Sequence, residues 1–172
     1  MTDHIKKAIR TISDWPEPGQ EFYDYMPILA NPKLFNALVE EFCKPYLDEN
    51  VDLVISVDAR GLILAAPIAY ALDAGLALLS PKDKMAWTVD RGSNQQNQIN
   101  NMLAMDHAAI QPGQRVVIID DILASGKTSG DTAEILENMG VTIIGVSFLF
   151  SLGRPSAHER LADYQVHVVL KM

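Results

Sequence analysis

Residues 116–130 read VVIIDDILASGKTSG: an apolar run, two adjacent acids at Asp120 and Asp121, then a small-residue turn. The run at 116–119 has the look of a strand covered on both faces, and residues 127–139 have the pattern of a helix. Acids at such a junction are common as a turn with a helix N-terminal charge. Here they follow buried-type residues directly, which puts at least one at a sheet edge rather than in a long solvated loop. Gly126, Lys127 and Thr128 invite comparison with the triphosphate loop G-x-x-x-x-G-K-[ST]. Its first glycine would fall at position 121, where Asp121 would repel a triphosphate, so nucleotide hydrolysis is set aside. The segment instead divides into two functions. Residues 124–128 offer backbone N–H donors, the hydroxyls of Ser125 and Thr128, and a helix start with partial positive charge, which together suit a phosphomonoester. Asp120 and Asp121 offer acceptors for neighbouring sugar hydroxyls. A ribose 5-phosphate satisfies both halves.

Further strands are predicted at 53–57, 76–80, 141–150 and 166–170. Between them, residues 62–75 read as a helix stopped by Gly75 in a C-cap position, and Gly140 ends the helix over 127–139. Asn31 and Pro32 open another helix as cap and first residue, with Leu34, Phe35, Leu38, Val39 and Phe42 on one face. Pro45 ends or kinks it. Residues 2–12 are expected to form a short amphipathic helix, and Pro and Gly to block regular structure just after it. Strand and helix alternate, which argues for an α/β fold, a parallel twisted sheet flanked by helices. In such sheets ligands gather at the carboxyl ends of strands, near a switch in strand order. DARG at 58–61 and DDILASGKT at 120–128 both fall at strand ends.

The 172 residues suit one domain spanning 1–172, without repeat or dividing linker, long enough to bury roughly 70% of the unfolded surface. A net charge of −8 argues against a nucleic-acid partner, because neutralising phosphates needs a basic face. No apolar stretch approaches the ~20 residues of a membrane span, and the first residues lack a signal-peptide core. With a lone Cys43, which fits a reducing compartment, the expectation is a cytoplasmic protein with no membrane partner. His4, His107, His158 and His167 show no metal-ligand spacing.

At 116–130 the chain resembles the phosphoribosyl-diphosphate motif of type I phosphoribosyltransferases, with Lys127 where many members have Gly. The resemblance runs over nearly the whole chain and looks closest to adenine phosphoribosyltransferases. WPEPGQEFYDYMPIL at 15–29 is similar to their segment covering the base, VDARGLILAAPIAYALDAG at 57–75 to the part that forms their diphosphate loop, and LFSLGRPSAHERL at 149–161 to the other side of the base site. It implies a Rossmann-like fold with an N-terminal hood over 1–30 and a mobile catalytic loop over 81–102. It implies that Phe22 and Leu152 sandwich a purine, stacking being worth about 1–3 kcal/mol per base. Read without the resemblance, Phe22 serves equally as a core residue. Phosphoribosyl diphosphate would be bound by Asp58, Ala59, Arg60, Gly61 and Lys84, by the acid pair, and by Ala124, Ser125, Gly126, Lys127 and Thr128. A strained non-proline cis peptide is expected near Asp58–Ala59. Arg60 offers donors in a fixed fork; its ordinary alternative is a surface ion pair.

The sequence departs from the family between 80 and 102. Ser80 and Pro81 replace an Arg-Lys pair, with Lys82 and Lys84 nearby, and Asn97 stands where a Glu is expected. An amide is no acid or base at neutral pH, and losing such a group typically costs about 10²–10⁴-fold in rate. A different nucleobase, a slower enzyme and a binding protein without turnover all fit that change, as does a drifted, solvated loop. The resemblance implies transfer of the 5-phosphoribosyl group to a purine, adenine first, with Asp120, Asp121, Arg60 and Asn97 at the reacting centre. It also implies Mg²⁺ bound mainly through the diphosphate, no direct protein metal ligand, and a homodimer. From a different class, a phosphoribosyl-diphosphate or purine sensor without turnover uses the same fold.

Overall fold

The structure is a computed structural model describing residues 2–15, 17–80, 104–105 and 110–171. The chain runs α1 (Asp3–Lys6), β1 (Arg10–Ser13), β2 (Glu21–Asp24), α2 (Met26–Leu29), α3 (Pro32–Cys43), β3 (Leu53–Val57), α4 (Asp58–Ala71), β4 (Gly75–Ser80), β5 (Ala104–Met105), β6 (Arg115–Leu123), α5 (Lys127–Asn138), β7 (Thr142–Ser151), α6 (Pro155–Arg160) and β8 (Val166–Lys171). The main sheet has the order β5-β4-β3-β6-β7-β8. Its five longer strands are parallel, as expected, and only β5 pairs antiparallel, at the β4 edge.

From β3 the chain steps outward to β4, and from β6 it steps the other way through β7 to β8. The switch in strand order therefore lies between β3 and β6, and the carboxyl ends of those strands carry the two clusters singled out in the sequence. Side chains alternate along each strand. Val54, Val117 and Ile119 join one core with Leu38, Phe42, Leu64 and Ile68 of α3 and α4. Ile55, Val57, Val116 and Ile118 join the other, with Ala133 and Leu136 of α5 and Leu161 beyond α6. Every residue of β3 is buried, which accounts for its largely apolar composition.

Asn31 caps α3 as expected, its side chain accepting from the amides of Lys33 (3.0 Å) and Leu34 (3.3 Å). Lys44–Tyr46 then tightens into a 3₁₀ turn around Pro45. Three expectations are corrected. Residues 2–12 do not form one helix: α1 ends at Lys6, and Arg10–Ser13 pairs antiparallel with Glu21–Asp24. The pairing supplies hydrogen bonds to a stretch thought too rich in Pro and Gly for them, and Arg10 clamps it with Nε 3.0 Å from Asp24. Gly75 is not the helix stop. Asp73 takes the left-handed turn, φ 54°, and Gly75 already begins β4, where a Cβ would meet Leu53 at 3.0 Å. Finally, β6 does not end before the acids but runs through them to Leu123.

Candidate active site

Two helix starts and one strand end build the site. β3 passes into α4 without a loop, so Asp58, Ala59, Arg60 and Gly61 form the first turn of α4. The transition bends at Asp58, whose φ is 68°, a conformation uncommon for any residue but glycine. Its carboxylate accepts from the amide of Ala59 at 2.7 Å, and Ser56 Oγ donates to its carbonyl at 3.0 Å. Gly61 is required by closeness: a Cβ there would lie 3.0 Å from Ser56 Oγ, 3.1 Å from the Ile119 carbonyl and 3.4 Å from Asp120 Oδ1. The missing side chain lets α4 approach the end of β6.

On β6 the two acids have different surroundings. Asp121 is buried, with 4% of its surface exposed. Its Oδ2 takes a hydrogen bond from Tyr25 Oη at 3.3 Å and an ion pair with Arg60 Nε at 3.5 Å. Asp120 is half-buried, and its Oδ1 accepts from the Asp121 amide at 2.9 Å. Burial first, and the neighbouring Asp121 charge second, hold the Asp120 carboxyl well above the usual carboxylate range. Desolvation, then Asp121, pushes the Tyr25 phenol well above its ordinary value, so Tyr25 is a neutral donor at physiological pH.

The small-residue turn closes the arrangement. Gly126 holds φ 70° at the start of α5, and a Cβ there would stand 2.8 Å from the Ala157 carbonyl. The Lys127 amide donates to Ser125 Oγ at 3.3 Å. Ser125, Lys127 and Thr128 are exposed, Ala124 is half-buried and Gly126 is buried. The first-turn amides of a helix have no partner in the preceding turn, and here they border open side chains rather than a sealed core. A cavity of about 490 Å³ opens beside them, lined by Ser125, Lys127, Ser156, Glu159 and Arg160.

Of the residues expected to form a site, the structure brings Asp58, Ala59, Arg60, Gly61, Asp120 and Asp121 together around the ends of β3 and β6. The turn at 124–128 follows directly on β6. Phe22 and Leu152 lie on separate elements. Phe22 packs edge-on against Trp15, centroids 4.6 Å apart, while Leu152 follows β7, is 41% exposed and donates its amide to the Leu123 carbonyl at 3.0 Å. Lys84, Asn97 and the 81–102 segment lie outside the described residues. Sequence reasoning missed Tyr25, which carried no signal beyond being an aromatic in a Pro- and Gly-containing segment. It also missed the α6 wall of the cavity.

The fold, the switch point and the acid-then-turn geometry coincide with a family match: residues 27–170 fit the phosphoribosyl transferase domain. The chain belongs to the phosphoribosyltransferase family. This phosphoribosyltransferase is 36% identical over 167 residues to the adenine phosphoribosyltransferase of Rhodopirellula baltica, across 97% of this chain and 81% of that protein. It is 35% identical over 170 residues to that of Anaeromyxobacter dehalogenans, covering 99% of both. Among solved structures, the adenine phosphoribosyltransferase of Rhodothermus marinus superposes with a TM-score of 0.84 at 32% identity, covering 99% of this chain and 97% of that one. The enzyme of Thermoanaerobacter pseudethanolicus superposes at 0.85 and 30% identity, covering 100% of both. The expected family and fold class are thereby established, and with them a transferase.

Proposed function

We propose that this phosphoribosyltransferase moves the 5-phosphoribosyl group from phosphoribosyl diphosphate to adenine, releasing diphosphate and forming AMP, a purine-salvage reaction. The observation that carries the reading is the acid pair fixed at the end of β6, between the α4 first turn with Arg60 and the open turn that starts α5. The relatives, named as adenine phosphoribosyltransferases, support adenine as the base.

As diphosphate departs, positive charge develops at the anomeric carbon, and catalysis consists of stabilising that charge and the leaving group while holding the nitrogen nucleophile in line. Asp120 and Asp121 accept from the ribose hydroxyls, and the pair, sharing one proton, lends its remaining negative charge to the cationic carbon. Residues 124–128 hold the 5-phosphate through amides and the hydroxyls of Ser125 and Thr128. Arg60 and the α4 first turn receive the diphosphate. Phe22 and Leu152 bracket the base. The site is rich in hard oxygen donors, which suit Mg²⁺, and among the described residues no three metal-ligating side chains converge. As the family resemblance implies, the ion is assigned mainly to the diphosphate oxygens, where it would screen the leaving group's charge. We place the protein in the cytoplasm, a reducing compartment that its lone Cys43 fits. A homodimer fits Ile63 and Tyr70, which are seven residues apart on α4 and 44% and 90% exposed.

The test is to incubate protein, Mg²⁺ and phosphoribosyl diphosphate with each purine and to look for nucleotide by chromatography. AMP from adenine is expected. Asn97 in place of the family's Glu favours one rival, a sensor of phosphoribosyl diphosphate. Tight binding of that ligand with no nucleotide from any base establishes the sensor and overturns the transferase.

A further inference from the structure

We infer that Tyr25 is a positioning residue of the phosphoribosyl site: its buried hydroxyl, together with Arg60, fixes Asp121 through one oxygen and leaves the other for the sugar. The inference rests on the assignment of the acid pair to ribose.

Tyr25 follows β2 directly and is 3% exposed, its ring lodged in the α3–α4 core with Ile28 and Leu38. The backbone leading to it is tied on both sides by Asp24, which accepts from Arg10 Nε at 3.0 Å and from the Met26 amide at 2.9 Å. Its hydroxyl therefore reaches Asp121 from a fixed point, across 96 residues of chain. Arg60 meets the same carboxylate from α4. Both address Oδ2 and neither touches Oδ1, the oxygen assigned to the sugar. Two contacts on one oxygen restrict the carboxylate's rotation, so its second oxygen presents a lone pair in a preferred direction, the preorganisation that sugar recognition requires. An unpartnered buried hydroxyl or carboxylate is costly, so the contact is more than a bystander. Tyr23 shows the contrast: its hydroxyl donates to exposed Glu21 at 3.0 Å, away from the acids.

The experiment is a binding cycle: calorimetric titration of phosphoribosyl diphosphate with Mg²⁺ into wild type, Tyr25→Phe, Asp121→Asn and the double variant, with Tyr23→Phe as control. Tyr25→Phe is expected to weaken binding roughly five- to ten-fold, the loss of one longish hydrogen bond to a charged group, while KM for adenine stays unchanged. Tyr23→Phe should bind like wild type. The double variant should bind like Asp121→Asn alone, because the hydroxyl acts through that carboxylate. Unchanged binding in Tyr25→Phe, or penalties that add in the double variant, overturns the inference. So does a Tyr25→Phe protein that fails to fold and is not restored by Asp121→Asn. Because binding is the readout, a wild type that binds but forms no nucleotide overturns only the transferase reading; one that binds no phosphoribosyl diphosphate overturns both.

Discussion

Gly61 packs its bare α-carbon against Asp120, so closely that a methyl group there would stand 3.4 Å from Oδ1 and 3.1 Å from the carbonyl of Ile119. The Ile119 carbonyl has little room to yield, because it belongs to a strand paired on both sides. Gly61→Ala should therefore push the first turn of α4 away from the acids. Overpacking of this kind costs about 1–3 kcal/mol. We expect a lower melting temperature and, because Arg60 moves with the turn, weaker binding of phosphoribosyl diphosphate by calorimetry.

Gly126 is under a double constraint, a left-handed φ of 70° and the Ala157 carbonyl 2.8 Å from where a Cβ would lie. The backbone penalty for an L residue is about 1–2 kcal/mol, and the clash is with main chain, which has little room to move. Gly126→Ala should destabilise the protein by more than that and raise KM for phosphoribosyl diphosphate with little change in KM for the base. Thermal melts and steady-state kinetics check both halves.

Arg60 meets Asp121 with its guanidinium yet keeps a side chain that is 56% exposed, so it can serve the acid and an incoming diphosphate together. Arg60→Ala should weaken binding of phosphoribosyl diphosphate roughly 10–100-fold, the range for a hydrogen bond to a charged group. Arg60→Lys should recover only part, since a point charge lacks the two-pronged geometry. Inhibition by free diphosphate should fall in parallel.

Asp120 is held above the usual carboxylate range by burial and by Asp121. The native state then keeps a proton that the unfolded chain has released, so this group lowers stability as pH rises from the unfolded value near ~3.9 through the raised native one. Asp120→Asn should stabilise the ligand-free protein at alkaline pH, and the gain should vanish as pH falls towards ~4. A tenfold difference in proton affinity between the native and unfolded chains corresponds to about 1.4 kcal/mol. For a chain of this size a kcal/mol moves the melting temperature about 2–4 °C. Melting curves across pH give the sign directly.

Where burial on both faces forced an apolar run, as in β3, or where a cap and a Pro marked a helix start, as at Asn31 and Pro32, pattern and structure agree. The acid pair and the α5 turn were legible because two unusual requirements sit in one short stretch. What was not legible depends on partners distant in the chain. β6 continues through Asp120 and Asp121 because β7 pairs with it, Asp120 opposite Phe148 and Leu123 opposite Ser151. Charged side chains alone would have ended the strand. Arg10–Ser13 is a strand only because Glu21–Asp24 comes back beside it. Tyr25 entered the site through a contact with a residue almost a hundred positions away, which periodicity cannot register.

Since β6 runs on through Asp120 and Asp121, both acids belong to the central ladder rather than to a surface turn. In hydrogen-exchange terms the amides of this ladder are expected among the slower to open, since β6 pairs with β7 through the acids. The two carboxylates are thus standing features of the native state, formed before any ligand arrives. Whatever ordering accompanies binding must be met by other parts of the chain.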